Sequence, residues 1–296
     1  MRHKVLISFV AIFILASCSN QQTRSKSSVV DYLYPTSTNE VIQASIPILH
    51  LPLKVGIAFV PEQDTKTRGR NRWSALVGSG AALTAVSKAE LLDKVASNFK
   101  ELGFVSEIEV IPTEYLTHGG SFNNLEQIQT MYGIDIIALV SYDQVQFTDE
   151  SFLSLTYWTI VGAYVVSGEI NDTSTMLDTV VYDIKSKKML FRAPGTSVVK
   201  GNATPVSLNQ ELRADSIKGF NLAAEKMTGN LHSQLTKFKE KIKQNPEQVK
   251  VIHREGYTGS GGGAFNLYTL IILLLIAVTT KNLTNKVRSR EERTTI

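Results

Sequence analysis

The 296-residue sequence predicts an α/β (α+β) fold. The expected form is a single mixed-sheet domain with a βαβαβ start, an antiparallel strand extension and a long C-terminal helix. A signal peptide and a C-terminal transmembrane helix flank it. Three observations predict this. β-Branched apolar runs alternate with helix-period stretches between residues 50 and 145, the pattern of parallel strands joined by covering helices. Shorter apolar runs separated by turn residues follow, and these extend a sheet antiparallel. Beyond Ser207, apolar residues recur mostly at threes and fours, as on the buried stripe of a helix.

The elements follow in order. "LKVGIAFVP" at 53–61 reads as a buried first strand stopped by Pro61. A polar loop runs to Trp73. Ser87 and Glu90 have the spacing of a capping box, and Leu91, Leu92, Val95, Phe99 and Leu102 form a helical stripe that Gly103 ends. "FVSEIEVIP" is the second strand, "SFNNLEQIQTMYG" a helix with Leu125, Ile128 and Met131 inward, and "IDIIALVSYDQVQF" the third strand. Leu155 to Glu169, Met176 to Ile184 and Lys188 to Val199 read as further strands, with turns at "NDTS" and "KSKK". "SLTYWTIVGAYVVSG" is too short for a membrane helix and too rich in β-branched and aromatic residues, so it is expected as a buried strand. A last helix is expected from Ser207, with a capping-box pair in Ser207 and Gln210, to Gln244. Its stripe is Leu212, Phe220, Ala224, Met227, Leu231, Leu235, Phe238 and Ile242, and Gly219 and Gly229 are the positions where a bend is expected.

The ends carry most of the charge imbalance. The chain has 31 basic and 27 acidic residues and a net charge of +4. Arg2 and Lys4, with Lys281, Lys286, Arg288, Arg290 and Arg293, lie in the two apolar-flanked ends, against only Glu291 and Glu292. The body is therefore nearly neutral and nucleic acid is not an expected partner. The terminal cations instead orient membrane insertion.

"MRHKVLISFVAIFILAS" at 1–17 has the positive start and apolar core of an export signal, and it ends at Cys18, the single cysteine of the chain. One thiol forms no internal disulfide. Leu15, Ala16 and Ser17 before Cys18 resemble the bacterial lipobox, which implies diacylglycerol on the Cys18 sulfur. Ser19 after the cysteine implies, by the same resemblance, passage to the outer membrane of a Gram-negative cell. Near the other end, "GYTGSGGG" precedes an uncharged apolar run from Ala264 to Thr280, close to the ~20 residues a spanning helix needs. Gly261, Gly262 and Gly263 lower the cost of local helix unwinding that an intramembrane protease requires, by about 1 kcal/mol each relative to alanine. Glycines, short span and basic tail resemble the GlyGly-CTERM sorting tail recognised by rhomboid-type rhombosortases. Together the two motifs resemble the rhombotarget lipoprotein family, a resemblance that is specific at the ends and weaker over residues 30–245.

The expected organisation is a signal peptide at 1–17, a lipidated tether at 18–49, an exported α/β domain at 50–245 and a glycine-rich linker and hinge at 246–263. A transmembrane helix at 264–280 and a basic cytoplasmic tail at 281–296 complete it. The tether is rich in Ser, Thr, Gln and Asn, so most of it is expected to be mobile, although "VVDYLYP" has the residues to pack on the domain. The resemblance implies an inner-membrane start, processing by lipoprotein enzymes and a rhomboid-type protease, and residence in the outer membrane or at the cell surface. It implies no activity. An alternative is a doubly anchored inner-membrane protein whose C-terminal helix is retained as part of a binding or scaffold module.

Catalytic patterns are weak. His3, His50, His118, His232 and His253 have no metal-ligand spacing, so neither a metal nor another cofactor is expected. Gly78-Ser79-Gly80 lacks the third glycine of a dinucleotide loop, and no nucleophile elbow is present. Asp143, Asp149 and Glu150 follow the third strand, where open α/β sheets place ligands, and His118-Gly119-Gly120 follows the second. Carboxylates at a strand end are more often solvated turn residues, the same holds for the His118 loop, and the expected class is non-enzymatic. The loop "KTRGRNRW" carries Lys66, Arg68, Arg70, Arg72 and Trp73, a set able to hold an anionic lipid or glycan, although a solvated loop after the first strand is the simpler reading of such a run. An envelope protein is the other class of partner considered.

Overall fold

The computed structural model describes residues 20–35, 43–63, 66–69, 83–150, 169–204 and 206–257. Strands are β1 (Asn20–Lys26), β2 (Ile48–Leu51), β3 (Leu53–Phe59), β4 (Lys66–Gly69), β5 (Val105–Val110), β6 (Ile136–Glu150), β7 (Glu169–Asp183), β8 (Lys188–Ala203) and β9 (Lys250–His253). Helices are α1 (Val29–Leu33), α2 (Ala85–Ser97), α3 (Ser121–Tyr132) and α4 (Leu208–Gln244), with a 3-10 turn at Thr113–Tyr115. The result is a mixed α/β arrangement about a seven-stranded sheet. A separate parallel pair joins β2 to β9.

β6 organises the sheet. One edge pairs along its whole length with β7, which pairs in turn with β8, all antiparallel. The other edge is shared. Ile136–Val140 runs parallel to β3, whose far edge takes β5 in parallel, so the alternating strand–helix run forms the parallel part of the sheet. Asp143–Asp149 instead runs antiparallel to β1, and β4 pairs outside β1.

The two lengths of β6 therefore lie in different surroundings. Around residues 136–142 both sheet faces are covered. Phe59, Ile136, Ala138, Val140, Leu177 and Val181 pack under α2 and α4 with Leu91, Phe220 and Met227. Ala58, Val60, Ile137, Leu139 and Val180 pack under α1 and α3 with Leu33, Phe122 and Leu125. This explains the unbroken apolar run "IIALV", since a strand covered on both faces has no polar side. From residue 143 onward, among the described residues, only α4 covers the sheet. Gln144, Gln146 and Thr148 are buried beneath it, while Val145, Phe147 and Asp149 alternate toward the open face.

α4 sits close to the sheet because glycines meet it there. A Cβ on Gly195 would run into the Ala223 carbonyl and lie 2.8 Å from Met227 Cβ, and one on Gly219 would lie 2.6 Å from Thr175 Oγ1.

Several expectations are corrected. Much of the tether at 18–49 is structured, since β1 pairs on both edges, whereas the packing expected of "VVDYLYP" is present, with Val29, Tyr32 and Leu33 of α1 in the core. "NDTS" is not a turn. Asn171 and Thr173 are 0% exposed inside β7, where pairing to β6 and β8 overrides their turn preference. The turn over "KSKK" is present at Ile184–Lys187. The cap of α2 is Thr84, which accepts from the Ser87 amide, not a box at Ser87 and Glu90, and the helix stops at Ser97 before Gly103. Ser207 caps α4 without the side-chain bond expected from a capping box. Met131 is 60% exposed, because three three-residue steps from Phe122 carry it about 180° around the helix. The connection "EQVKVIHREGY" contains β9. Among the described residues no helix is long and apolar enough to cross a membrane. The signal peptide, the apolar run at 264–280, the basic tail and the expected strand at 155–168 lie outside the described residues.

Candidate functional site

In open α/β sheets, ligands bind beyond the carboxyl ends of the parallel strands. At that end of β3 the chain continues through Val60, Pro61 and Glu62. Lys88 of α2, only 8% exposed, donates to Glu62, and its ammonium lies 5.8 Å from the centre of the Tyr142 ring. Burial, and then Glu62, push the Tyr142 phenol above its usual range. Ser27 closes the group: its amide donates to the Tyr142 carbonyl at 2.8 Å, and its hydroxyl accepts from the Tyr142 amide at 3.0 Å.

The crevice beside this group is filled by the chain itself. α1 lies against α3, where the Tyr32 hydroxyl donates to Asn124 Oδ1 at 2.8 Å and Ser121 Oγ donates to the Leu33 carbonyl at 2.9 Å. Asn124 Oδ1 also accepts from the Thr117 amide at 3.0 Å, while its Nδ2 donates to the Tyr115 carbonyl at 3.1 Å. The His118-Gly119-Gly120 loop is thus tied down, with Gly119 at φ +63° packed near Pro35. On the same side, burial pushes the Tyr182 phenol up to about 12. Lys88 and Glu62 consume one another, and the position that an α/β fold offers to a ligand holds residues 27–35.

Asp143, Asp149 and Glu150 do not form a cluster after the strand, because all three lie within β6. Asp143 and Asp149 are six residues apart, about 20 Å in an extended strand. Asp143 is paired with Arg24, whose Nε donates at 2.8 Å. Among the described residues no group of three His, Cys, Asp or Glu side chains is placed to hold a metal. A shallow cleft near the end of α4 is lined by Lys188, Leu190, Phe238, Lys241, Ile242 and Val249 among others.

The basic loop is in part a strand. Lys66 and Arg68 are exposed on β4, opposite Arg24 and Gln22 of β1. Arg70, Arg72 and Trp73 lie outside the described residues, as do Cys18 with Leu15, Ala16 and Ser17, the glycines Gly261, Gly262 and Gly263, and Gly78-Ser79-Gly80. What the sequence reading missed is the face that β4 joins. The register carries Lys66 through Arg24, Val145 and Ser174 to Val198, and Arg68 through Gln22, Phe147 and Asp172 to Lys200. Phe147 is 39%, Ile170 47% and Val198 61% exposed on this face. The alternation in "TSVVKGNA" was the available signal, but it does not say which side a helix will cover.

No protein-family model and no curated protein matches the chain. Among solved structures, a PelC variant dodecamer from Paraburkholderia phytofirmans is similar at 12% identity, covering 64% of this chain and 98% of that one, with a TM-score of 0.25. A second PelC dodecamer from the same organism shares 11% identity over 60% and 96% of the two chains, with a TM-score of 0.24. A DUF330-family protein from Xanthomonas campestris shares 10% identity over 66% and 99%, also with a TM-score of 0.24. Scores at this level carry nothing about function.

Proposed function

We propose that the chain is a non-enzymatic envelope lipoprotein of the rhombotarget type, acylated at Cys18 and released from the inner membrane by a rhomboid-type protease acting near Gly261 to Gly263. The observation that carries this reading is the coexistence of a lipobox and a glycine-hinged apolar tail on one chain. A diacyl-cysteine bound for the outer membrane and a helix held in the inner membrane are not both final locations. Cleavage at the glycines removes the conflict, and the apolar run from Ala264 to Thr280 is then a temporary address.

The geometry of the body supports the reading. Asn20, two residues after Cys18, pairs with Asp149 near one end of β6. Tyr257 donates its amide to the Arg254 carbonyl at 3.1 Å, and Arg254 is bonded through Nη2 to Asp135, beside the start of β6, at 2.8 Å. The two exits thus lie at opposite ends of a strand about 45 Å long. Two permanent anchors would hold the domain at both of its ends, whereas one leaves it free to move away with its acyl chains.

Intact-mass analysis of membrane-extracted protein tests the processing. Loss of the residues after the glycines is expected, and a full-length C-terminus would favour the doubly anchored alternative. Palmitate labelling is expected to disappear in Cys18→Ala, and persistence of label would sink the lipid assignment. The role of the exported domain on this reading is binding within the envelope, through the anionic-ligand set that Lys66 and Arg68 begin.

A further inference from the structure

Among the described residues, one sheet face beyond residue 142 is left uncovered. α1 and α3 stop short of it, and α4 lies on the opposite side. Adjacent strands are about 4.8 Å apart; Ile170 lies diagonal to Phe147, and Val198 stands across Ser174 from Val145, so the apolar side chains are dispersed among polar ones on this face. Arg24, Lys26, Lys66, Arg68 and Lys200 share that face, against Asp143, Asp149 and Asp172. Asp143 is already paired with Arg24. Apolar residues interleaved with long cationic side chains suit the boundary of a bilayer, where the stems lie in the apolar zone and the charges reach the headgroups.

We propose that this face docks on an anionic lipid surface, laying the domain lengthwise along the bilayer. The inference rests on acylation of Cys18 as set out above. Two observations select this occupant. β1 starts two residues after Cys18, so its first residue stays within about 7 Å of the acylated backbone and the open face begins at the membrane. Among the described residues α4 lies on the side of Gln144 and Gln146, so Gln22, Arg24 and Lys26 of β1, in register with Phe147, Val145 and Asp143, are on the side free to meet that surface.

The test uses the full chain reconstituted in vesicles with about a third anionic lipid, and it exploits the single cysteine. Acylation consumes the Cys18 thiol, so Val198→Cys adds a unique site for an environment-sensitive fluorophore, and Ile217→Cys on α4 supplies the control. Quenching of the Val198 label by a lipid-borne quencher is expected, falling at least fivefold in Lys66→Glu/Arg68→Glu/Lys200→Glu and in high salt, with the Ile217 label unaffected. Quenching of the Ile217 label instead, or an acylated protein whose Val198 label stays accessible to aqueous iodide on vesicles, would overturn the docking face alone. A Val198 label shielded equally in detergent without lipid would mean that a second copy or the chain's own segments cover the face, which also overturns it. Absence of acyl mass on Cys18 in the same preparation would remove the lipoprotein reading and this inference together.

Discussion

The two lengths of β6 make a natural experiment within one strand. Residues 136–142 lie in a three-layer half whose inward side chains, Ser141 apart, are aliphatic and aromatic. Residues 143–150 lie in a two-layer half where α4 rests on Gln144, Gln146, Thr173, Thr175 and Ser197, all buried. The polar layer is hydrogen-bonded to the helix rather than merely covered by it. Gln144 Nε2 donates to Thr175 Oγ1 at 2.8 Å and to the Ser216 carbonyl at 3.3 Å, while its Oε1 accepts from the Ser216 hydroxyl at 2.6 Å. Gln146 donates to the Leu212 carbonyl at 2.8 Å and Ser197 to the Gly219 carbonyl at 2.7 Å. Apolar packing supplies the stability of the first half. In the second, paired polar groups fix where along the sheet the helix sits, since each loses its partner if the helix slides.

This contrast can be broken most severely in the three-layer half. Phe59 is fully buried beneath α2 and α4. Phe59→Ala is expected to lower unfolding free energy by about 3–5 kcal/mol in denaturant titration, through lost transfer energy and an unfilled cavity. A loss below 1 kcal/mol would mean that the apolar half does not carry the fold. Gly195→Val tests the close approach of α4, where a Cβ would meet the Ala223 carbonyl. About 1–3 kcal/mol of destabilisation is expected from displacing the helix.

The polar half has a different signature. Gln144→Ala leaves the Ser216 and Thr175 hydroxyls without their partner and is expected to cost about 1–3 kcal/mol. Gln144→Leu combined with Ser216→Ala should recover the part of that loss that comes from Ser216, because apolar replacement of both members of that pair is nearly neutral, while Thr175 stays without its donor. A double mutant no better than Gln144→Ala would show that packing volume, not unsatisfied polarity, governs this layer. Arg24→Ala removes only an exposed ion pair with Asp143, and less than about 1 kcal/mol is expected.

The smallest effect concerns Asp215 on α4, which accepts from Asn171 Nδ2 at 2.5 Å. Burial, and then the nearby Glu211 charge, raise its carboxyl above the usual range. Folding therefore favours the protonated form. That contribution is complete below the unfolded pKa, near 3.9, and is lost as pH rises through the higher folded value. Asp215→Asn keeps an oxygen for Asn171 and removes the titration. A gain of a few tenths of a kcal/mol at neutral pH is expected after solvent screening, with no gain at pH 3 in thermal unfolding.

Legibility in the sequence followed the same division. The apolar runs of β3 and β6, the stripes of α2 and α4 and the turn before Lys188 could all be read, because burying apolar surface leaves a periodicity in the chain. β1 and the first third of β7 could not. "NQQTRSK" and "NDTS" are polar and have turn-forming composition, so nothing local marks them as strands. The candidate site divided likewise. Lys66 and Arg68 were visible as a charge run, but their neighbours Arg24, Phe147, Val198 and Lys200 come from three other strands and meet only through register.

By itself the sequence determined the mixed α/β class, the long amphipathic α4 and the chemistry of its two ends, including the thiol at Cys18. Those properties follow from composition and short-range period. Tertiary structure alone decided that residues 20–35 belong to the domain, that the crevice at the end of β3 is filled by Ser27 and α1, and that α4 covers one face of the sheet beyond residue 142 while no other described element covers the opposite one. A polar strand is stable only where distant donors and acceptors meet its side chains, and here those partners are Ser216, Leu212 and Gly219, some seventy residues downstream of β6 for the glutamines and about twenty downstream of β8 for Ser197.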